Sequence, residues 1–227
     1  MDDIVIRAVG VLRTCYAEKF GVPRQPGLVR EAWGEVVLEP EYAKAEAVRG
    51  LEQFSHLWLV TLFHLVPEEH AALTARPPRL GGNDRVGVFA SRTPYRPNRI
   101  GLSVVELVGI SNDEGGVRIR VRGIDWVDGT PVLDIKPYVP YADAVQNAAG
   151  GYASAPPSLM NVRWQCPPPG DEISRCIIED SVALSPQPSY HDPSGRVYAA
   201  CIAGHEIKWE AGDAESRILF CAPVTLK

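Results

Sequence analysis

Between Arg76 and Leu102 the sequence reads RPPRLGGNDRVGVFASRTPYRPNRIGL, in which Arg76, Arg79, Arg85, Arg92, Arg96 and Arg99 alternate with prolines, glycines, Phe89 and Tyr95. Guanidinium forks suit carboxylates and phosphates, while Pro and Gly fix loop backbone in conformations that allow close approach of a ligand. Such a composition makes a poor core and a good binding surface, the bland alternative being a solvated loop with scattered arginines. A second segment, GTPVLDIKPYVPYADA over 129–144, interrupts an apolar strand with Asp134 and Lys136 at alternate positions. Both would then face one side of the strand, where a cross-strand ion pair is the ordinary use for such residues. Tyr138 and Tyr141, set among prolines, form a stiff aromatic run able to stack on a base.

Three weaker signals accompany these. His56 and His64 lie at either end of an apolar run, and without partners neither is assigned as a base. The stretch FGVPRQPGL over 20–28 has too little periodicity for a regular element and too many special residues for filler. Arg118, Arg120 and Arg122 alternate with Val117, Ile119 and Val121, so one strand presents them on a single face, read chiefly as a solvated one.

The elements that must position these residues read as short strands over 4–12, 35–38, 57–62, 86–91, 102–108, 117–124 and 132–135, separated by turn signals. A helix is expected over 41–51 and a further turn over 67–73. Strands with so little helix between them point to a mainly β fold, a β-barrel with few short helices. An Ala, Gly and Pro-rich stretch follows. The expected organisation is a barrel domain over 1–145, a linker over 146–172 and a small β-rich C-terminal domain over 173–227, with strands at 173–182, 197–202, 206–209 and 217–221.

Composition limits the function. With 45% hydrophobic and 22% charged residues the chain is ordinary globular protein, and its longest apolar run, Leu57 to Phe63, falls far short of the roughly 20 residues a membrane helix needs. The opening Met1-Asp2-Asp3 has no basic run of the kind that begins a secretory signal, so a cytoplasmic protein with no membrane partner is expected. Its five cysteines show no Cys-x-x-Cys pair and are read as reduced thiols. A net charge of -5 argues against non-specific RNA binding over the whole surface and confines any RNA contact to a local basic patch. No dinucleotide fingerprint, P-loop, nucleophile elbow or zinc-protease helix is present in the sequence.

At these same segments the sequence resembles the tRNA N6-threonylcarbamoyladenosine methyltransferase family, in its bacterial form. The carrying stretches are EKFGVPRQPGL, GLEQFSHLWLVTLFH, the arginine segment extended to SVVEL, and DGTPVLDIKPYVPYADA, in order within 10–144. The resemblance implies a β-barrel that binds S-adenosylmethionine without a Rossmann fold, acts as a homodimer, needs no metal, and methylates N6 of threonylcarbamoyladenosine at position 37 in a tRNA anticodon loop. Carried over residue by residue, the cofactor positions are Pro26, Gly27 and Leu28; Phe63 and His64; Arg92; Leu102; and Leu133, Asp134, Ile135 and Lys136. The sequence departs from the family pattern at Cys15 and Arg99, where proline is usual, and at Gln187-Pro188-Ser189-Tyr190, which lacks the arginine of the family's tail motif.

Methyl transfer from a sulfonium needs an oriented nucleophile and an exit for its proton. Asp134, the acid within the motif that resembles the pocket strand, is the expected proton acceptor, with binding of the cofactor's amino group as its alternative role. Two other readings remain at this point: a non-catalytic RNA-binding barrel using the same arginines and tyrosines, and a methyltransferase acting on a small nucleoside-like molecule.

Overall fold

A computed structural model of the chain describes residues 4–81, 84–113, 115–186 and 195–224. Alternating burial along β1 (Gly10–Thr14), β2 (Trp33–Leu38), β3 (His56–Leu62), β7 (Gly116–Arg122) and β8 (Thr130–Pro137) turns one row of side chains inward. With the long β6 (Ile100–Asp113) these strands close into an antiparallel barrel in the order β1-β2-β7-β6-β3-β8. Closure leaves the barrel itself without a free sheet edge. The interior is filled by Leu12, Val36, Leu57, Leu59, Val105, Ile119, Val121 and Val132, each essentially inaccessible to solvent. The expected mainly β barrel is therefore what the chain forms.

Several element boundaries differ from expectation. Residues 4–9 lie outside any strand: Val9 still bonds to Val132 and packs on the core, but Ile4 and Val5 are each 84% exposed. The expected helix over 41–51 is two 3-10 turns, Ala45–Val48 and Leu51–Gln53, divided by Gly50 at φ 86°, a left-handed conformation that breaks a helix. Of the strand expected over 86–91 only β5 (Val86–Gly87) pairs, with β4 (Thr74–Ala75), and a 3-10 turn follows. After β8 comes a single helical turn, α1 (Pro140–Asp143), whose Asp143 accepts from the Val139 amide at 2.7 Å and from the Trp58 indole at 3.0 Å.

The tail builds a second sheet, β10 (Arg196–Ile202), β11 (His205–Ala211), β12 (Glu215–Pro223) and β9 (Asn161–Trp164), in that spatial order. The segment expected as linker thus contains a strand, β9, which pairs parallel with β12. The strand expected over 173–182 is instead α2 (Glu172–Ala183), begun by Asp171, whose side chain accepts from the Ser174 amide at 2.7 Å. Its buried residues Ile177, Ile178, Ser181 and Val182 recur at helical spacing. Tail and barrel share one core: Tyr16 pairs with Ile202 and its hydroxyl meets Ser181 Oγ at 3.0 Å, while Phe20 stacks on Trp209 with ring centroids 5.5 Å apart. The tetrapeptide Gln187-Pro188-Ser189-Tyr190 lies outside the described residues.

Candidate functional site

The outward rows of β6, β3 and β8 stand side by side. Leu102 pairs with Val60 and Val60 with Asp134; Val104 pairs with Trp58 and Trp58 with Lys136; Glu106 pairs with His56. Paired residues share a face, so Leu102, Asp134 and Lys136, assigned from different segments, lie on one flank of the barrel. Asp134 and Lys136 face the same side, as their spacing implies, yet neither forms an ion pair with a described residue. A register shift at Val60 and Thr61 leaves Leu133 as an extra residue between Val132 and Asp134. Ile135, by contrast, packs against the barrel core, which leaves its backbone as the part a ligand could reach.

On the same flank opens a cleft of about 550 Å³, lined by Pro26, Gly27, Arg30, His56, Val104, Glu106, Arg122 and Gly123. Its size lies within the range of small-molecule sites. Gly27 adopts φ 75° and donates its amide to the Gly123 carbonyl at 2.8 Å, so this turn requires glycine and is tied to the end of β7. In the cleft Arg122 donates to both Glu106 oxygens, at 2.8 and 2.7 Å. That bidentate pair holds the Glu106 carboxyl below the usual range. His56 accepts from or donates to Ser55 Oγ at 2.9 Å and meets the Tyr138 ring edge-on.

The arginine segment divides into employed and unengaged groups. Arg92 donates to the side chain of Gln25 and so links this segment to the 20–28 loop. Arg99 donates to the Val66 carbonyl at 2.7 Å and pairs with Glu68, Arg96 donates to the Ser91 carbonyl at 3.2 Å, and Arg79 donates to the Ala155 carbonyl. Arg76 and Arg85 make no hydrogen bond or ion pair with a described residue. Of the β7 ladder, Arg118 meets Glu35 at 2.8 Å and Arg122 meets Glu31 and Glu106, the use expected of a solvated face. His64 has its pKa lowered, first by burial and also by the charge of Lys19, which keeps its ring neutral near pH 7.

At the mouth of the barrel the structure adds a group that the sequence reading passed over. Trp126 packs tilted against Phe63, ring centroids 4.8 Å apart, and fills the space over Gly101, where an added Cβ would come within 1.8 Å of the indole. Its Nε1 donates to Ser103 Oγ at 3.0 Å, and Ser103 donates in turn to Asp125 Oδ1 at 2.7 Å. Burial pushes the Asp125 carboxyl up to about 7, against the Ser103 hydrogen bond and the charge of Arg92, both of which lower it. An isolated acid in the apolar run Ile124-Asp125-Trp126-Val127 was the available signal.

Comparison with known proteins places this geometry among relatives. A family model described as the tRNA-methyltransferase O N-terminal domain matches residues 11–144. The tRNA (adenine(37)-N6)-methyltransferase of Escherichia coli strain K12 is 41% identical over 98% of this chain and 100% of its own length. A putative S-adenosylmethionine-dependent methyltransferase of Pseudomonas aeruginosa is 46% identical, covering 90% of this chain and 91% of that protein. A crystal structure of TrmO from P. aeruginosa superposes with a TM-score of 0.79 at 38% identity, over 99% of both chains.

Proposed function

The chain belongs to the tRNA-methyltransferase O family, and from that premise we propose that it transfers a methyl group from S-adenosylmethionine to N6 of adenine 37 in tRNA, acting on the base that already carries a threonylcarbamoyl group. The observation that carries this reading is the 41% identity to a tRNA (adenine(37)-N6)-methyltransferase over that relative's whole length. The flank of the barrel suits it: the cleft, the glycine turn at Gly27 and the neighbouring Leu102, Asp134 and Lys136 combine apolar surface with charged groups of both signs.

S-adenosylmethionine supplies an electrophilic methyl on a sulfonium, together with an amino group and a carboxylate by which it can be held. Arg92, fixed by Gln25, is the group we assign to a carboxylate, and Asp134 the group we assign to the amino group. Pro26, Gly27, Leu28, Phe63, His64, Leu102, Leu133, Ile135 and Lys136 complete the proposed cofactor site. The protein's task at the base is orientation, because an exocyclic nitrogen is a weak nucleophile and a well-placed pair of reactants removes most of the entropic barrier. A nucleotide beside the anticodon is single-stranded and can be reached without opening a helix.

Titration of the purified chain with S-adenosylmethionine in a calorimeter tests the cofactor directly. Saturable binding is expected; its absence would leave only a non-catalytic RNA-binding barrel. We infer a homodimer built through the barrel, supported by the family resemblance and the exposed Val108 on β6, and light scattering showing a monomeric mass in an active sample would refute it. We infer a cytoplasmic protein, a reading supported by the tRNA substrate proposed above, which fractionation of cells checks.

A further inference from the structure

We propose that Asp125 is the catalytic base that accepts the N6 proton as the methyl group is transferred. This rests on the function proposed above. The reaction releases one proton: the methyl carbon bonds to N6, the sulfur–carbon bond breaks with its electron pair left on a neutral thioether, and the N6 hydrogen leaves as a proton. On the carboxylate that proton gives a neutral acid, which water later deprotonates.

The placement of Asp125 argues for the role. Residues 123–126 meet the segments that the resemblance assigns to the cofactor: Gly123 accepts from the Gly27 amide at 2.8 Å and Trp126 meets the Phe63 ring, while Asp125 bonds to Ser103, the buried, inward-facing neighbour of the outward Leu102 at the start of β6. Arg92 adds its charge from the arginine segment. Ser103 is the one described side chain that donates to Asp125, so the second carboxylate oxygen is free of side-chain donors among the described residues, and the residue as a whole is part-buried. Asp134 sits differently, exposed on the outer strand face, with Oδ1 accepting from the Ile135 amide at 2.9 Å.

Two groups act electrostatically with Asp125. Arg92 favours the charged form, and the Tyr16 phenol feels the carboxylate and has its own pKa raised, mainly by burial, so it stays neutral. A carboxyl held near neutral pH is matched to proton transfer at working pH, since a stronger acid would be a poorer acceptor.

The competing explanation is structural, with Asp125 serving only as the terminus of the Trp126–Ser103 hydrogen-bond relay. Asp125→Asn separates the two, because an amide oxygen still accepts from Ser103 and only proton uptake is lost. The base role predicts a kcat lowered by about 100-fold or more, with KM for modified tRNA and calorimetric affinity for S-adenosylmethionine within about threefold of wild type. It also predicts that wild-type kcat rises with pH to a plateau above about 7 and that the variant's residual activity lacks this acid limb. Ser103→Ala, which removes a bond that favours the charged form, should move the limb to higher pH. Near-wild-type kcat in Asp125→Asn, or an unchanged acid limb, overturns the assignment. Wild-type protein that binds S-adenosylmethionine yet methylates no tRNA would overturn the functional reading and the base with it.

Discussion

Arg92 and Asp125 show opposite degrees of legibility at the residue scale. An arginine in a Pro and Gly-rich loop announces itself by composition, and the structure places Arg92 where it links two loops through Gln25. Arg92→Ala should weaken S-adenosylmethionine by about tenfold, the lower end for a charged hydrogen bond because the side chain is exposed; unchanged calorimetric affinity would remove it from the site. Asp125 gave only the faint signal of an acid within an apolar run, since its significance comes from neighbours distant in sequence: Ser103 is 22 residues away. Its raised pKa has a stability consequence. The folded state holds the proton up to about pH 7, whereas the unfolded chain releases it near the ordinary value of 3.8. Between those limits the native state binds more protons, so stability falls as pH rises through the window, and the full cost is present above about 7. The stability of Asp125→Asn relative to wild type should therefore increase from pH 4 to pH 8, on the order of 2–4 kcal/mol. Urea denaturation at the two values measures this, and a difference independent of pH would mean that the carboxyl is not strained.

Strands were legible as elements where apolar and polar residues alternate, as along β7, or where a short apolar run stands between turns, as along β3, and their ends were not. The barrel's strand over 10–14 begins only where Leu38 and Val132 are available to pair with Gly10, a condition set by distant chain. The error over α2 has another cause. Its Ile and Val content suggested a strand, but Ile173, Ile177, Ile178, Ser181 and Val182 recur with helical spacing, and Asp171 with Ser174 is an N-cap pattern. Periodicity outweighed β-branched propensity. Of the proposed cofactor residues, Asp134 and Lys136 share the outer face as their spacing implied, while the inward position of Ile135 follows from the same alternation. The closest packing in the site is at the start of β6, where Gly101 lies against Trp126 and Thr61. Gly101→Ala would drive a methyl into the indole and dislodge Trp126 from Phe63. A loss of about 3 kcal/mol is expected from such overpacking, read as a lower urea midpoint; an unaltered midpoint would show that the barrel mouth relaxes freely.

The whole molecule carries a net charge of -5, so its grip on RNA must be local. Arg76 and Arg85, which have no described partner, are the groups left for that purpose, because Arg79, Arg92, Arg96 and Arg99 already hold carbonyl or side-chain oxygens. The cationic surplus that the sequence suggested is smaller than a count of arginines implies. It still exceeds the single carboxylate of the cofactor, and the threonyl carboxylate of the modified base is the second anion we assign to it. A site organised around that ion rejects a base lacking it, since its own charge would be left unpaired. The direct measurement is methyl incorporation from labelled S-adenosylmethionine into two tRNAs of one sequence, an unmodified transcript and the same tRNA bearing threonylcarbamoyladenosine at position 37, followed by nucleoside mass analysis. The account predicts one added methyl on the modified nucleoside and none on the transcript. Equal labelling of both, or labelling of neither, would contradict it.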